Sequence, residues 1–431
     1  MKKYNKEKNV YEASNERVEF IFNNFNKIYL SFSGGKDSGV MLNLVVDYMR
    51  KNNITKKIGL MVMDNEANYE YSLKFMHEII QDNLDLLDVY WCCLPITLPC
   101  TVSSYEIDWQ CWGVNDEHRW IRPMPKEDYI VNIDNHNFDF FEENMSYDEF
   151  WDKFGDWYAQ GERCACMIGI RTDESLNRYR AIMNQKKGMI NNLCWTKKNT
   201  DFVYNVYPIY DWKTDDIWIG NEKFNWKYNE LYDIFWKAGL SVAQMRVASP
   251  FMSESKSSLN LYKVIDGHVW ARLCARVSGA NFIATYGKQL TYRSFELPEG
   301  HTWKSFCKFL IDTLPNESSV NFKQRFIQSI KYWWRIGRGL PEEVIQDLEK
   351  NNIDFVYGEK TRHGNKDKTC IRMLPPDHLD MLKCHNSDVT SWKRFVITIL
   401  KNDHTCKYLG LAPTHEQAKR QREIQKKYKN I

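Results

Sequence analysis

The chain has 431 residues, 43% of them hydrophobic and 27% charged, with a formal net charge of +3. That balance describes a globular protein with room for one large or two ordinary domains, and it excludes the strongly basic composition of a dedicated nucleic-acid binder. No run of about 18 apolar residues occurs, so no segment reads as a membrane-spanning helix. The opening segment lacks the apolar core of a secretory signal, which points to the cytoplasm. There the 12 cysteines are expected as thiols or ligands rather than disulfides. The 16 Trp and 24 Tyr predict aromatic-rich cores ahead of stacking surfaces.

In chain order, the first informative element is the β-prone run Ile28–Ser31, which enters Ser33-Gly34-Gly35-Lys36-Asp37-Ser38 and passes at once into a helical pattern. Strand, tight glycine turn and helix N-terminus together make an anion site. Glycine bares backbone N–H groups, and the helix start leaves donors unpaired. Lys36 adds a point charge, while Ser33 and Ser38 add hydroxyls. The spacing is not that of a Walker A loop. A second strand, Ile58–Met63, ends at Asp64, and a helix with Leu73, Met76, Ile80 and Leu84 on one face follows. A third strand runs from Asp88 to Leu94, a fourth from Cys164 to Ile170 and a fifth from Phe202 to Ile209.

Strands alternating with helices predict an α/β fold, a doubly wound and mostly parallel sheet whose ligands bind beyond the carboxyl ends of the strands. The Ser33–Ser38 loop, Asp64 and Arg171 all fall at such ends. Between the third and fourth strands lies an aromatic-rich insertion at about 95–160, roughly seventy residues long and far beyond an ordinary connection. It reads equally as a lid or as a packed subdomain. Arg171 and Arg178 stand two helical turns apart if a helix starts near Thr172, so that both would face one anion with Glu174 between them. Thr214 reads as a helix cap. From about Asn221 the alternation gives way to a mainly helical second domain. The expected division is 1–220 for the nucleotide-binding domain and 221–431 for the C-terminal domain. Lys419, Arg420, Arg422, Lys426, Lys427 and Lys429 make its tail basic, and DNA contact is one reading of that charge.

Three stretches in this order, SGGKDS, GIRTDESLNR and PIYDWKTDDIW, resemble the phosphoadenosine phosphosulfate (PAPS) reductase-like family of the adenine nucleotide alpha hydrolase superfamily. Segments further on, including Tyr228–Tyr232, Gln244–Val247 and Arg276–Asn281, resemble a subgroup with an added C-terminal domain. That subgroup includes the immunoglobulin-binding regulator A proteins, often encoded beside a ParB-like partner. The resemblance implies binding of ATP, or of PAPS, with Mg²⁺. Its first implied activity is cleavage between the α- and β-phosphates, with AMP passing to an acceptor the sequence does not identify. The implied nucleotide-binding residues are Ser31, Ser33, Gly34, Gly35, Lys36, Asp37, Ser38, Asp64, Arg171, Glu174 and Arg178. Lys36, Asp37 and Arg171 would be catalytic, and Asp37 would also be a candidate for the metal.

Two alternatives stay open. A reductase acting on PAPS or adenylyl sulfate needs a reactive cysteine in a Glu-Cys-Gly-(Ile/Leu)-His segment. The nearest echo is Lys383-Cys384-His385, without the glycine. A nucleotide-responsive regulator or DNA-associated protein working with a ParB-like partner is the other. Cys92-Cys93 with Cys164 and Cys166 invites an iron–sulfur reading, but the one-residue spacing of the second pair favours buried strand thiols.

Overall fold

The computed structural model describes residues 7–184, 188–242, 244–256, 258–286, 295–359, 368–382 and 389–411. The basic tail and Cys384 lie outside the described residues. Two compact units divide the chain. The first comprises Met1–Leu98, Gln110–Pro250 and Ser257–Arg276; the second comprises Pro99–Trp109, Phe251–Lys256 and Val277–Ile431.

The first unit is built on seven strands: β1 Lys27–Ser31, β2 Ile58–Met63, β3 Leu87–Cys92, β4 Ile130–Val131, β5 Cys164–Ile168, β6 Thr196–Lys198 and β7 Val203–Val206. Their spatial order is β4-β3-β2-β1-β5-β7-β6. All neighbours are parallel except β6 and β7. Strands β1, β2 and β5 are buried almost throughout, as apolar runs covered on both faces must be. The register pairs Ser31 with Met61 on one side and with Ile168 on the other, so the loops after β1, β2 and β5 leave from one edge. The chain winds outward from β1 to β4, then returns to the other side of β1 to lay down β5. The switch point of the sheet therefore lies between β1 and β5, where doubly wound sheets open a crevice.

Around the sheet lie α1 Val10–Asn24, α2 Lys36–Lys51, α3 Glu70–Gln81, α4 Tyr147–Ala159, α5 Leu176–Met183, α6 Thr214–Lys223 and α7 Leu231–Lys237. Helix α1 begins with a capping box between Asn9 and Glu12. Its Arg17 grips Asp211 through two bonds of 2.7 and 2.6 Å and donates to the Pro208 carbonyl at 2.7 Å. That bidentate pair ties the chain before β1 to the chain after β7.

The α/β reading is met, with differences of length and number. Two strands escape the sequence pattern. Ile130–Val131 is two residues long, and Thr196–Lys198 is a polar antiparallel edge, so neither leaves an apolar run to read. The fourth and fifth strands end earlier than expected, at Ile168 and Val206. The helix after β5 starts at Leu176 with Ser175 as its cap, not near Thr172.

The second unit is mainly helical. Helices Trp303–Thr313, Asn316–Arg335 and Trp392–Leu400 close around Phe306, Phe322, Phe326 and Phe395, with the last two rings stacked at 4.4 Å. A small antiparallel sheet of Arg338–Leu340, Thr369–Arg372 and Val356–Tyr357, in that order, packs with Trp333, Ile345 and Ile371.

Candidate functional site

The carboxyl edge of the sheet carries two charged clusters, both within the first unit. The first forms on the loop between β1 and α2. Gly34 sits at φ +68°, a conformation that favours glycine, and a Cβ there would lie 2.7 Å from the Met76 sulfur, so a larger residue would have to push that side chain aside. Gly35 is the helix cap position and has no side chain to satisfy the first amides of α2. Within the loop, the Ser38 hydroxyl donates to the Gly35 carbonyl (3.1 Å), accepts from the Ser33 amide (3.3 Å) and lies 3.0 Å from the Ser33 hydroxyl. The serines thus hold the turn in shape.

Three charges converge at the helix start. Lys36 Nζ donates to Asp37 Oδ2 at 2.8 Å, and Arg171 Nε donates to Asp37 Oδ1 at 2.5 Å. Lys36 and Asp37 are each 9% exposed and Arg171 only 1%. Arg171 comes from the loop after β5, and its remaining nitrogens donate to the Trp212 carbonyl and the Thr214 hydroxyl, both at 3.3 Å. Thr214 therefore orients Arg171, while Lys213 takes the cap position of α6. The close approach of β5 to α2 rests on Gly169, where a Cβ would lie 3.0 Å from Asp37 backbone atoms.

The two arginines expected to face one anion are in different surroundings, because Arg171 precedes the helix that contains Arg178. Arg178 is partly exposed and pairs with Glu174, whose same Oε2 also lies 3.4 Å from the Arg171 amide. Glu174 is thus the link between them. Ser31, at the end of β1, is partly buried within the sheet pairing.

A wall that the residue pattern did not single out comes from Asn229 and Tyr232, just before and within α7. Asn229 is fully buried and donates to the Gly34 carbonyl and to Ser72 Oγ, both at 2.9 Å, while its oxygen accepts from the Leu231 amide. The Tyr232 hydroxyl accepts the Lys36 backbone N–H at 3.1 Å. The only sequence signal was their place in a segment similar to the subgroup.

The second cluster forms after β2. Asp64 is fully buried and accepts from Trp91 Nε1 (2.7 Å), from the Glu66 amide (2.9 Å) and from the Arg122 guanidinium. Glu66, at φ +64° and also fully buried, accepts the Trp112 and Ile121 amides at 2.7 Å each. Arg276 lies 3.7 Å from Glu66 and bonds Asp116 and the Gln110 carbonyl. Burial pushes the Glu66 carboxyl above its ordinary range, against the two backbone amides and Arg276 that pull it down. Trp112, Ile121 and Arg122 all belong to the insertion, so this part of it is packed against the sheet edge.

Cys92, Cys93, Cys164 and Cys166 are buried free thiols whose ionisation is pushed up by burial, that of Cys166 to about 12. Among the described residues no group of three or more His, Cys, Asp or Glu side chains is arranged to hold a metal ion. Each Asp37 oxygen already receives one cationic donor, Lys36 on Oδ2 and Arg171 on Oδ1. Among the described residues no helix is long and apolar enough to cross a membrane.

Residues 118–237 match the phosphoadenosine phosphosulfate reductase domain family, and residues 239–420 match a domain of unknown function, DUF3440. The first match begins beyond the phosphate loop but includes Arg171, Glu174, Thr214 and Tyr232. The chain is 30% identical over 413 residues to the uncharacterized protein YbdN of Escherichia coli (strain K12), spanning 94% of this chain and 91% of that one. Among solved structures, it is similar to a PAPS reductase from Candida auris (13% identity, 55% of this chain and 88% of that chain, TM-score 0.28). An FMN adenylyltransferase from Candida glabrata is similar at 17% identity over 52% of this chain and 59% of that one, with a TM-score of 0.31.

Proposed function

The chain belongs to the YbdN family, a PAPS reductase domain followed by DUF3440, and from that premise we propose that it is an ATP-dependent adenylyl transferase. The observation that carries this reading is the convergence of Lys36 and Arg171 on Asp37 at a glycine-capped helix start. Two buried cations, brought from either side of the sheet's switch point, meet where backbone amides already favour an anion.

ATP enters with its β- and γ-phosphates in the Ser33–Ser38 loop. The acceptor's nucleophilic atom attacks the α-phosphorus, the bond from that phosphorus to the α–β bridging oxygen breaks, and pyrophosphate leaves with the electron pair. AMP remains on the acceptor. Lys36 and Arg171 neutralise charge as it builds on the departing pyrophosphate, the dominant form of assistance in such transfers. Asp37 holds both cations in place before substrate arrives. Glu174 and Arg178 lie one turn further on, suited to the ribose or the α-phosphate.

Reduction of PAPS ranks below this reading. It needs a reactive cysteine in a Glu-Cys-Gly-(Ile/Leu)-His segment, of which the sequence offers only Lys383-Cys384-His385 without the glycine. Burial raises the pKa of Cys92, Cys93, Cys164 and Cys166. The test is product analysis with ATP labelled at the α- or γ-phosphate, the full chain and a cell extract as the source of acceptor. AMP or AMP-modified acceptor, together with pyrophosphate, is expected. ADP with orthophosphate contradicts the reading, and sulfite released from PAPS favours the reductase.

A further inference from the structure

The Tyr232 ring is 4% exposed, flanked edge-on by Trp218 and Phe235, and its hydroxyl reaches the first turn of α2. It accepts the Lys36 N–H at 3.1 Å, and a Cβ on Gly35 would lie 3.5 Å from the same oxygen. A phenol has one proton to give, and among the described residues no acceptor takes this one. Burial pushes the phenol well above the ordinary tyrosine range, and the nearby Asp37 carboxylate adds to the effect, so the proton is present at neutral pH. Lys36 Nζ lies 5.7 Å from the ring centroid, on the side chain's apolar face. A buried donor without an acceptor is costly, and here it faces the loop where an anion is expected.

We propose that Tyr232 is a nucleotide ligand: it fixes the Lys36 amide by accepting from it and donates its own proton to a phosphate oxygen seated in the Ser33–Ser38 loop. Asn229 sets this up by clamping the Gly34 carbonyl to the start of the same helix. The loop's anion site then has two walls, the backbone of α2 and the hydroxyl of α7. The assignment rests on the nucleotide reading above. It adds a contact specific to the pyrophosphate part of ATP.

The experiment is calorimetric binding of ATP and of inorganic pyrophosphate to the full chain as wild type, Lys36→Ala and Tyr232→Phe. Phenylalanine keeps the ring and removes only the donor. Tyr232→Phe should weaken both ligands about tenfold, the value of one charge-assisted hydrogen bond. Binding that equals or exceeds wild type in Tyr232→Phe, while Lys36→Ala loses it, overturns the Tyr232 assignment and leaves the nucleotide reading standing. That result would mean the hydroxyl merely occupies an amide the phosphate wants. Absence of ATP and pyrophosphate binding in wild type overturns both. Should Tyr232→Phe melt earlier than wild type, 3-fluorotyrosine at position 232 replaces it. Its more acidic phenol should bind pyrophosphate more tightly, and unchanged or weaker binding contradicts the proposal.

Discussion

The cluster after β1 and the cluster after β2 use the same chemistry to opposite ends. Each sets carboxylates against arginines at the carboxyl edge of one sheet. After β2, Asp64 and Glu66 are fully buried and take at least five donors between them, two tryptophan-linked and two from insertion amides. Both carboxylates there are enclosed by these donors, although the Arg122 and Arg276 Nε atoms have no hydrogen-bond partner among the described residues. After β1, Lys36 and Arg171 converge on Asp37, with Asp173 3.7 Å from Arg171, the helix cap has no side chain, and among the described residues no acceptor takes the Tyr232 proton. Carboxylates enclosed by backbone amides and indoles fasten a segment, whereas cations gathered at a helix start with an open cap suit an incoming anion. Charge types alone would not separate the two; what their carboxylates and cations bond to does.

The largest expected effect breaks the sealed cluster. Glu66→Ala orphans the buried Trp112 and Ile121 amides and leaves Arg276 with Asp116 as its only carboxylate among the described residues. At about 1–3 kcal/mol for each orphaned donor, the loss is about 2–6 kcal/mol. Urea unfolding should show a loss of that size. A loss below about 1 kcal/mol would mean the cluster is not sealed in solution.

Asp37→Asn is the matching change in the open cluster, with the opposite sign for binding. It removes the charge that neutralises Lys36 and Arg171, so pyrophosphate should bind about tenfold tighter. Weaker binding would show that Asp37 contacts the ligand or its metal directly. Asn229→Ala comes next. It releases the Gly34 carbonyl and Ser72, and should cost about 1–3 kcal/mol of stability with a smaller loss of nucleotide affinity.

How far these features could be read from the sequence follows the same division. The strand–glycine–helix run ending in Lys36 was legible because an anion loop needs glycine, a lysine and a helix start in immediate succession. Arg171 was legible from its place at a strand end within a longer motif. The helix start near Thr172 was misjudged, since Ser175 caps a helix that begins at Leu176 and so leaves Arg171 outside it. Glu66 carried no signal: its role depends on a positive φ and on amides of Trp112 and Ile121, 46 and 55 residues away. Tyr232 was one tyrosine among 24. Short or polar strands such as Ile130–Val131 were invisible because periodicity needs length.

The smallest effect concerns pH. Burial raises the folded-state pKa of Glu66 above its unfolded value. The folded chain therefore holds that proton more tightly, and the associated stability is present at low pH and lost as pH rises through the folded pKa. Unfolding free energies of Glu66→Gln, which cannot ionise, should fall less than those of wild type across that interval. Parallel profiles would show that Glu66 does not titrate in the fold.

The central claim is that the open cluster is a phosphate site. Titration of inorganic pyrophosphate into wild type and Lys36→Ala tests it most directly, with the thermal midpoint of each protein measured in the same buffer. Binding by wild type, weakened about 10- to 100-fold in a Lys36→Ala protein that melts normally, is the predicted result. Equal affinity in the two proteins would contradict it.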